Sequence, residues 1–191
     1  MPLKQFLLAM NNMIEFFVLA IALISASIYD VKYKKIPNIL NLSLIIFAVF
    51  YNISATGFEG LLFSGVGLTV GICMLLPVYT LGGMGAGDVK LMGAVGSMIG
   101  AKGVLISAIY TGLYGGLYAL LILLIHRQYG RVLISRTWAV LKTFLLTRQY
   151  VPVDAPHPIK KKPKLCYGVA IALGTTTYLL HNHLGYTLWG S

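Results

Sequence analysis

Long apolar runs follow one another along the chain with only short polar breaks between them, a spacing that predicts a bundle of membrane-crossing helices. The first run, from about Met13 to Tyr29, has just the ~17 residues needed to cross the hydrocarbon, and it ends at Asp30. A basic connection follows, Asp30-Val31-Lys32-Tyr33-Lys34-Lys35-Ile36-Pro37-Asn38, in which Pro37 suits the first turn of a new helix because its missing N–H costs nothing there. Ile39 to Ser54 is the second span. Asn52 to Gly60 reads as a turn, and Leu61 to Leu81 as a third span with a kink at Pro77. Next comes a glycine-rich stretch, Gly82-Gly83-Met84-Gly85-Ala86-Gly87-Asp88-Val89-Lys90-Leu91. Val89 to Ile99 is apolar but short, so by length alone it could cross or re-enter. Val104 to Ile125 is a fifth span and Leu165 to Leu180 a sixth. The predicted fold is all-α: a polytopic helix bundle of about six transmembrane helices forming one integral domain over residues 1–191.

Charge settles the open segment. Only 10% of residues are charged, against about 25% in an ordinary soluble domain. The net charge of +10 suggests nucleic acid at first sight, but the bases follow the membrane boundaries, so the lipid bilayer is the expected partner and nucleic acid is not. If every segment crosses, Lys32, Lys34, Lys35, Lys90 and all the bases between Arg127 and Lys164 share one side, leaving Lys4 and Lys102 on the other. The positive-inside rule then makes the first side cytoplasmic, with Asp30 and Asp88 at that face. A re-entrant fourth segment would export the bases of 127–164. The amino-terminal run has Lys4 offset by Glu15 and three lysines after it, the charge order of a retained helix and not of a cleaved signal.

Within the basic cytoplasmic segment, at about 127–164, Val132, Leu133, Trp138, Leu141, Phe144 and Leu145 alternate with Arg131, Arg136, Lys142 and Arg148 at helical spacing. They predict an amphipathic helix lying on the membrane surface, followed by a proline-rich linker to Lys164. Cys73 and Cys166 form no C-x-x-C pair and read as small core residues. His181, His183 and Trp189 fall beyond the last span as a tail, and two imidazoles without a third ligand do not indicate a metal.

Of the five carboxylates, Glu15 and Glu59 lie toward the far face and Asp154 in the linker. Elimination leaves Asp30 and Asp88 as a candidate catalytic pair. Two carboxylates in a low-dielectric site do not readily ionise together, so one can act as acid while the other acts as base. No serine or histidine has a comparable setting. Gly85 and Gly87, lacking Cβ, would let an extended substrate approach Asp88. In helices, positions i and i+2 do not face one another, so Lys32 and Lys90 should not neutralise Asp30 and Asp88; they would face headgroups or attract an acidic substrate group.

These residues resemble the GxGD aspartyl prepilin peptidases, and among them the small Tad-type enzymes that process Flp-like pilins. The resemblance rests on Asp30 with Ile36-Pro37-Asn38, on Gly85-Ala86-Gly87-Asp88-Val89-Lys90-Leu91, and on Tyr167-Gly168-Val169-Ala170-Ile171-Ala172, spread over nearly the whole chain. It implies an endopeptidase of the bacterial cytoplasmic (inner) membrane that removes the basic leader of a prepilin after a glycine, with Asp30 and Asp88 catalytic and neither metal nor cofactor. Larger relatives carry a cytoplasmic insertion with paired C-x-x-C motifs associated with methylation; this chain has none, so methyltransferase activity is not implied. Cys166 stands where the resemblance leads one to expect a proline. A preflagellin-type peptidase and, from a different class, a non-catalytic assembly factor or proton-coupled carrier remain open alternatives.

Overall fold

The computed structural model describes residues 3–125 and 166–183. Over these residues the chain is helical throughout, as α1 (Leu3–Tyr33), α2 (Asn38–Thr56), α3 (Phe58–Thr80), α4 (Ala86–Ile125) and α5 (Tyr167–His183). The chain divides into two compact units, Met1–Gly115 with Cys166–Ser191, and Gly116–Leu165. Of the second unit, the end of α4 is described. The amphipathic surface helix and proline-rich linker expected in 127–164 lie outside the described residues, as does Trp189.

Among the described residues, four helices are long and apolar enough to cross a membrane: α2, α3, α4 and the Met13–Tyr33 part of α1. Their outward faces carry exposed Ile21, Ile24, Phe50, Phe63, Ile109 and Leu113, a lipid-facing surface. At 40 residues, α4 would be about 60 Å long if straight, twice the hydrocarbon thickness. It is broken at Gly100, whose φ of 74° and ψ of 177° are not helical. Only glycine adopts that conformation readily, and the Phe63 ring occupies the place a Cβ would need. The break separates the fourth and fifth apolar runs. The first limb, 86–99, is about 21 Å long; Asp88 and Val89 are buried at its start, Lys90 is exposed, and it is buried without interruption from Leu91 to Met98. A helix apolar on every side belongs in the interior, and this limb is the centre of the bundle.

Small residues set how closely the other helices approach it. Gly67 on α3 and Gly96 on α4 meet backbone to backbone, so that a Cβ on either would strike the carbonyl of the other, and Gly71 lies likewise against Met92. Such contacts are the common glue of membrane helices, where burial of apolar surface drives little association. The second limb of α4 is tied to α5 by hydroxyls, Ser107 to Thr175 at 2.8 Å and Tyr114 to Thr177 at 3.0 Å. Besides these, α1 packs chiefly on α5 and α2 on α3.

Three local expectations need correction. The Asn52–Gly60 turn is a single residue, Gly57 (φ 65°, ψ −131°), between two helices. Asn52 is inside α2 and buried, its amide donating to Ala48 O (2.9 Å), Ser64 Oγ (3.0 Å) and Ser97 O (3.3 Å). Cys73 is exposed on α3, and only Cys166 is buried. Finally, α5 continues through His181 to His183, so His181, half-buried, is part of the helix and not of a tail.

The glycine contact makes a sharp contrast. Gly96→Ala must push two backbones apart and should lower stability by about 1–3 kcal/mol. Gly65→Ala has nothing within 4 Å of its new Cβ and should be neutral or stabilising by up to about 1 kcal/mol. Thermal unfolding of the two variants in the same detergent measures the difference.

Candidate active site

Four helix ends meet in the first unit: the last turn of α1 and the first turns of α2, α4 and α5. Asp30 belongs to the first of these and Asp88 to the third. Although both are near helix termini, they are only 5% and 7% exposed, and each lies within electrostatic reach of the other.

Asp88 is fixed by its own helix. After α3 the chain turns through Gly82 (φ 75°), with Gly82 and Gly83 N–H donating to Tyr79 O and Val78 O. Gly85 then precedes the first residue of α4. Asp88 N–H donates to Gly85 O at 3.1 Å, and Gly85 N–H donates back to Asp88 Oδ2 at 3.0 Å. This is the acidic half of a capping box, in which a carboxylate three residues into the helix satisfies the N–H of the capping residue; the α4 dipole favours a negative charge there as well.

Asp30 is held from across the bundle. Gly168, in the first turn of α5, donates its N–H to Asp30 Oδ2 at 2.8 Å. That amide is one of the four that an α-helix leaves unpaired at its start, so this carboxylate too sits at a helix N-terminus. A Cβ at Gly168 would lie 3.0 Å from both Cβ and Oδ2 of Asp30. Glycine is required here for the close approach. Tyr167, beside it and half-buried, is within electrostatic reach of Asp88, so the start of α5 faces both carboxylates.

The first turn of α2 is bolted to α4 on either side of Asp88. Asn41, 2% exposed, donates Nδ2 to Gly87 O at 3.1 Å, and its Oδ1 is buried with no hydrogen-bond partner. Lys90 Nζ donates to Asn38 Oδ1 at 3.1 Å. Between these contacts buried Ile36 packs on Gly87, where an added Cβ would come within 3.2 Å of it. Gly85, by contrast, is exposed. Lys32 is exposed with Nζ 5.3 Å from the centre of the Tyr33 ring.

The α1–α2 connection contains one strained residue. Lys34 has φ 54°, and its N–H donates to Asp30 O at 2.9 Å. This left-handed position just past a helix end is usually glycine, and for another residue it costs about 1–2 kcal/mol. Lys34 Nζ reaches Cys166 Sγ at 2.7 Å and acts electrostatically on Asp30.

The structure thus brings Asp30, Asp88, Gly85, Gly87 and Lys90 to one place, with Lys32 exposed in the same last turn of α1 as Asp30. Asn41, Lys34 and the Gly168 amide were not singled out from the sequence. Asn41 follows Pro37 by four residues and shares a helical face with Asn38, a spacing with no chemical signature of its own. Two buried carboxylates on separate helices, each with one oxygen fixed by a main-chain donor, can work as an acid–base pair on a polar bond brought between them.

A model of the type IV leader peptidase family matches residues 17–120, a range that contains both carboxylates, Ile36-Pro37-Asn38 and Gly85 to Asp88. No curated protein and no solved structure matches the chain.

The capping contact separates shape from charge at position 88. In Asp88→Asn the amide oxygen can still accept from Gly85 N–H, so stability should change by no more than a few tenths of a kcal/mol; Asp88→Ala loses the contact and should cost about 1 kcal/mol. Thermal unfolding of both variants in detergent tests the order.

Proposed function

Because the chain belongs to the type IV leader peptidase family, whose members are aspartic peptidases, we propose that it removes the basic leader of Flp/Tad-like prepilins with Asp30 and Asp88 as its catalytic pair. The observation that carries this reading is the pair itself: two carboxylates from α1 and α4, buried within electrostatic reach of each other, with Oδ2 of each held by a glycine N–H. Main-chain donors fix the carboxylates' orientation before substrate arrives, which is the preorganisation an acid–base pair needs.

In the proposed reaction the pair enters with one proton. The ionised carboxylate takes a proton from water as the water oxygen bonds to the carbonyl carbon of the leader's final glycine, and the protonated carboxyl delivers its proton to the carbonyl oxygen. The resulting gem-diol collapses: the C–N bond breaks, the nitrogen leaves with a proton from the pair, and a diol proton returns to the other carboxylate. The protons belong to the pair, and which member starts protonated is a property of the coupled system.

Exposed Gly85 gives an extended chain room beside Asp88, while Gly87 serves the packing of Ile36. Lys32 and Lys90, exposed on the same helix ends, are placed to meet headgroups or an acidic group of the substrate. With Lys34 and Lys35 they mark this end of the bundle as cytoplasmic under the positive-inside rule, in a multi-pass protein of the bacterial inner membrane.

The test is leader cleavage by purified protein in detergent. Asp30→Asn and Asp88→Asn retain acceptors for the Gly168 and Gly85 amides and should stay folded, yet each should lose cleavage by on the order of 10³-fold or more. Cleavage of a Flp-type prepilin at the native rate by either variant would sink the assignment. Efficient processing of a preflagellin but not of the prepilin would keep the chemistry and replace the substrate.

A further inference from the structure

Lys34 presents a puzzle that its backbone alone does not answer. The residue just past the end of α1 has φ 54°, a conformation glycine takes without strain and lysine does not. Lysine also lacks the short polar side chain with which asparagine or aspartate compensates locally in that region. Strain that persists at one residue points to a use for its side chain.

The side chain has such a use. Lys34 Nζ spans to Cys166 Sγ at 2.7 Å, the residue immediately before α5, and it acts electrostatically on Asp30. Two residues beyond Cys166, Gly168 N–H holds Asp30 Oδ2 at 2.8 Å. One ammonium therefore bears on both sides of the clamp on Asp30: it contacts the residue before α5, the helix that carries the donor, and acts electrostatically on the carboxylate at the end of α1. The neighbouring lysines differ. Lys32 lies over the Tyr33 ring, and Lys35 is exposed.

We infer that Lys34 is a positioning residue, whose ammonium straps Cys166 and the start of α5 to the end of α1 and so sets the Gly168 amide on Asp30. The inference rests on the reading of Asp30 as catalytic. It also explains why a cysteine can precede Tyr167-Gly168: its sulfur is the acceptor for the strap. The lysine departs from the residue its backbone prefers because the strap needs a long cationic side chain at that point.

Three substitutions separate the strap from the turn. Lys34→Gly relieves the backbone and removes the cation, Lys34→Met keeps the strain and the length without the cation, and Lys34→Arg keeps strain and cation. In a Cys73→Ser background Cys166 is the only thiol, so its labelling by N-ethylmaleimide reports the strap independently of activity. Gly and Met should each lower kcat for prepilin cleavage at least about tenfold with KM little changed, and should raise the Cys166 labelling rate severalfold. Thermal stability of Gly should equal or exceed native. Arg should remain close to native in kcat and in labelling. Native kcat in Gly or Met, or equal losses in Met and Arg, would overturn the inference. If Asp30→Asn cleaves at the native rate, the catalytic reading fails instead, and labelling that rises in Gly and Met but not in Arg would still establish the strap as a structural device.

Discussion

A carboxylate taken into a bundle of apolar helices loses its water, at a cost of roughly 3 kcal/mol or more. Asp30 and Asp88 meet this cost in the same way. Each directs Oδ2 at the N–H of a glycine in or just before the first turn of a helix, where the backbone leaves donors unpaired and the helix dipole favours negative charge. The solution differs in range. Asp88 uses the helix it belongs to, so its geometry is local and forms when α4 forms. Asp30 uses α5, 138 positions along the chain, and its geometry exists only when the bundle is assembled. The whole arrangement is therefore as precise as the packing that brings α5 back to α1.

That packing is built around the short first limb of α4. Because Gly67 and Gly96 meet backbone to backbone, α3 fixes the height of the limb with little freedom to slide. Asn52 reaches the same limb through Ser97 O and α3 through Ser64, so one buried amide joins three helices at the opposite end from Asp88. A buried network of this kind is stable only if its donors find acceptors, and this one fixes a single register. At the near end Asn41 and Asn38 hold the first turn of α4 from α2. The break at Gly100 lets the chain leave the centre immediately above.

Much of this was legible beforehand. The apolar runs located the helices, and the scarcity of carboxylates in an apolar chain made Asp30 and Asp88 stand out without any structure. The misreadings have physical causes. Asn52 resembled a turn residue because its three acceptors come from three different segments, and sequence does not display tertiary partners. Gly57 alone joins α2 to α3, where a longer turn was expected, since a single residue with positive φ suffices. Cys73 read as core because outward and inward faces are equally apolar in a bilayer, so hydrophobic periodicity loses the contrast that marks the buried side in water.

The hardest feature to see was the donor for Asp30, and the reason is general. A side-chain donor declares itself by its residue type, whereas a backbone amide is present at every residue but proline. What the sequence records of such a donor is the absence of a side chain: glycine at 168, where a Cβ would fall 3.0 Å from the carboxylate it serves. The family match ends at residue 120, before α5, so it spans both carboxylates but not the amide that orients one of them. The acidic residues thus mark where an acid–base pair can be, while the glycines at 85 and 168 mark how it is held. Read in that way, Tyr167-Gly168 belongs to the site as much as Gly85-Ala86-Gly87-Asp88 does, because each stretch brings one carboxylate its glycine donor at the start of a helix.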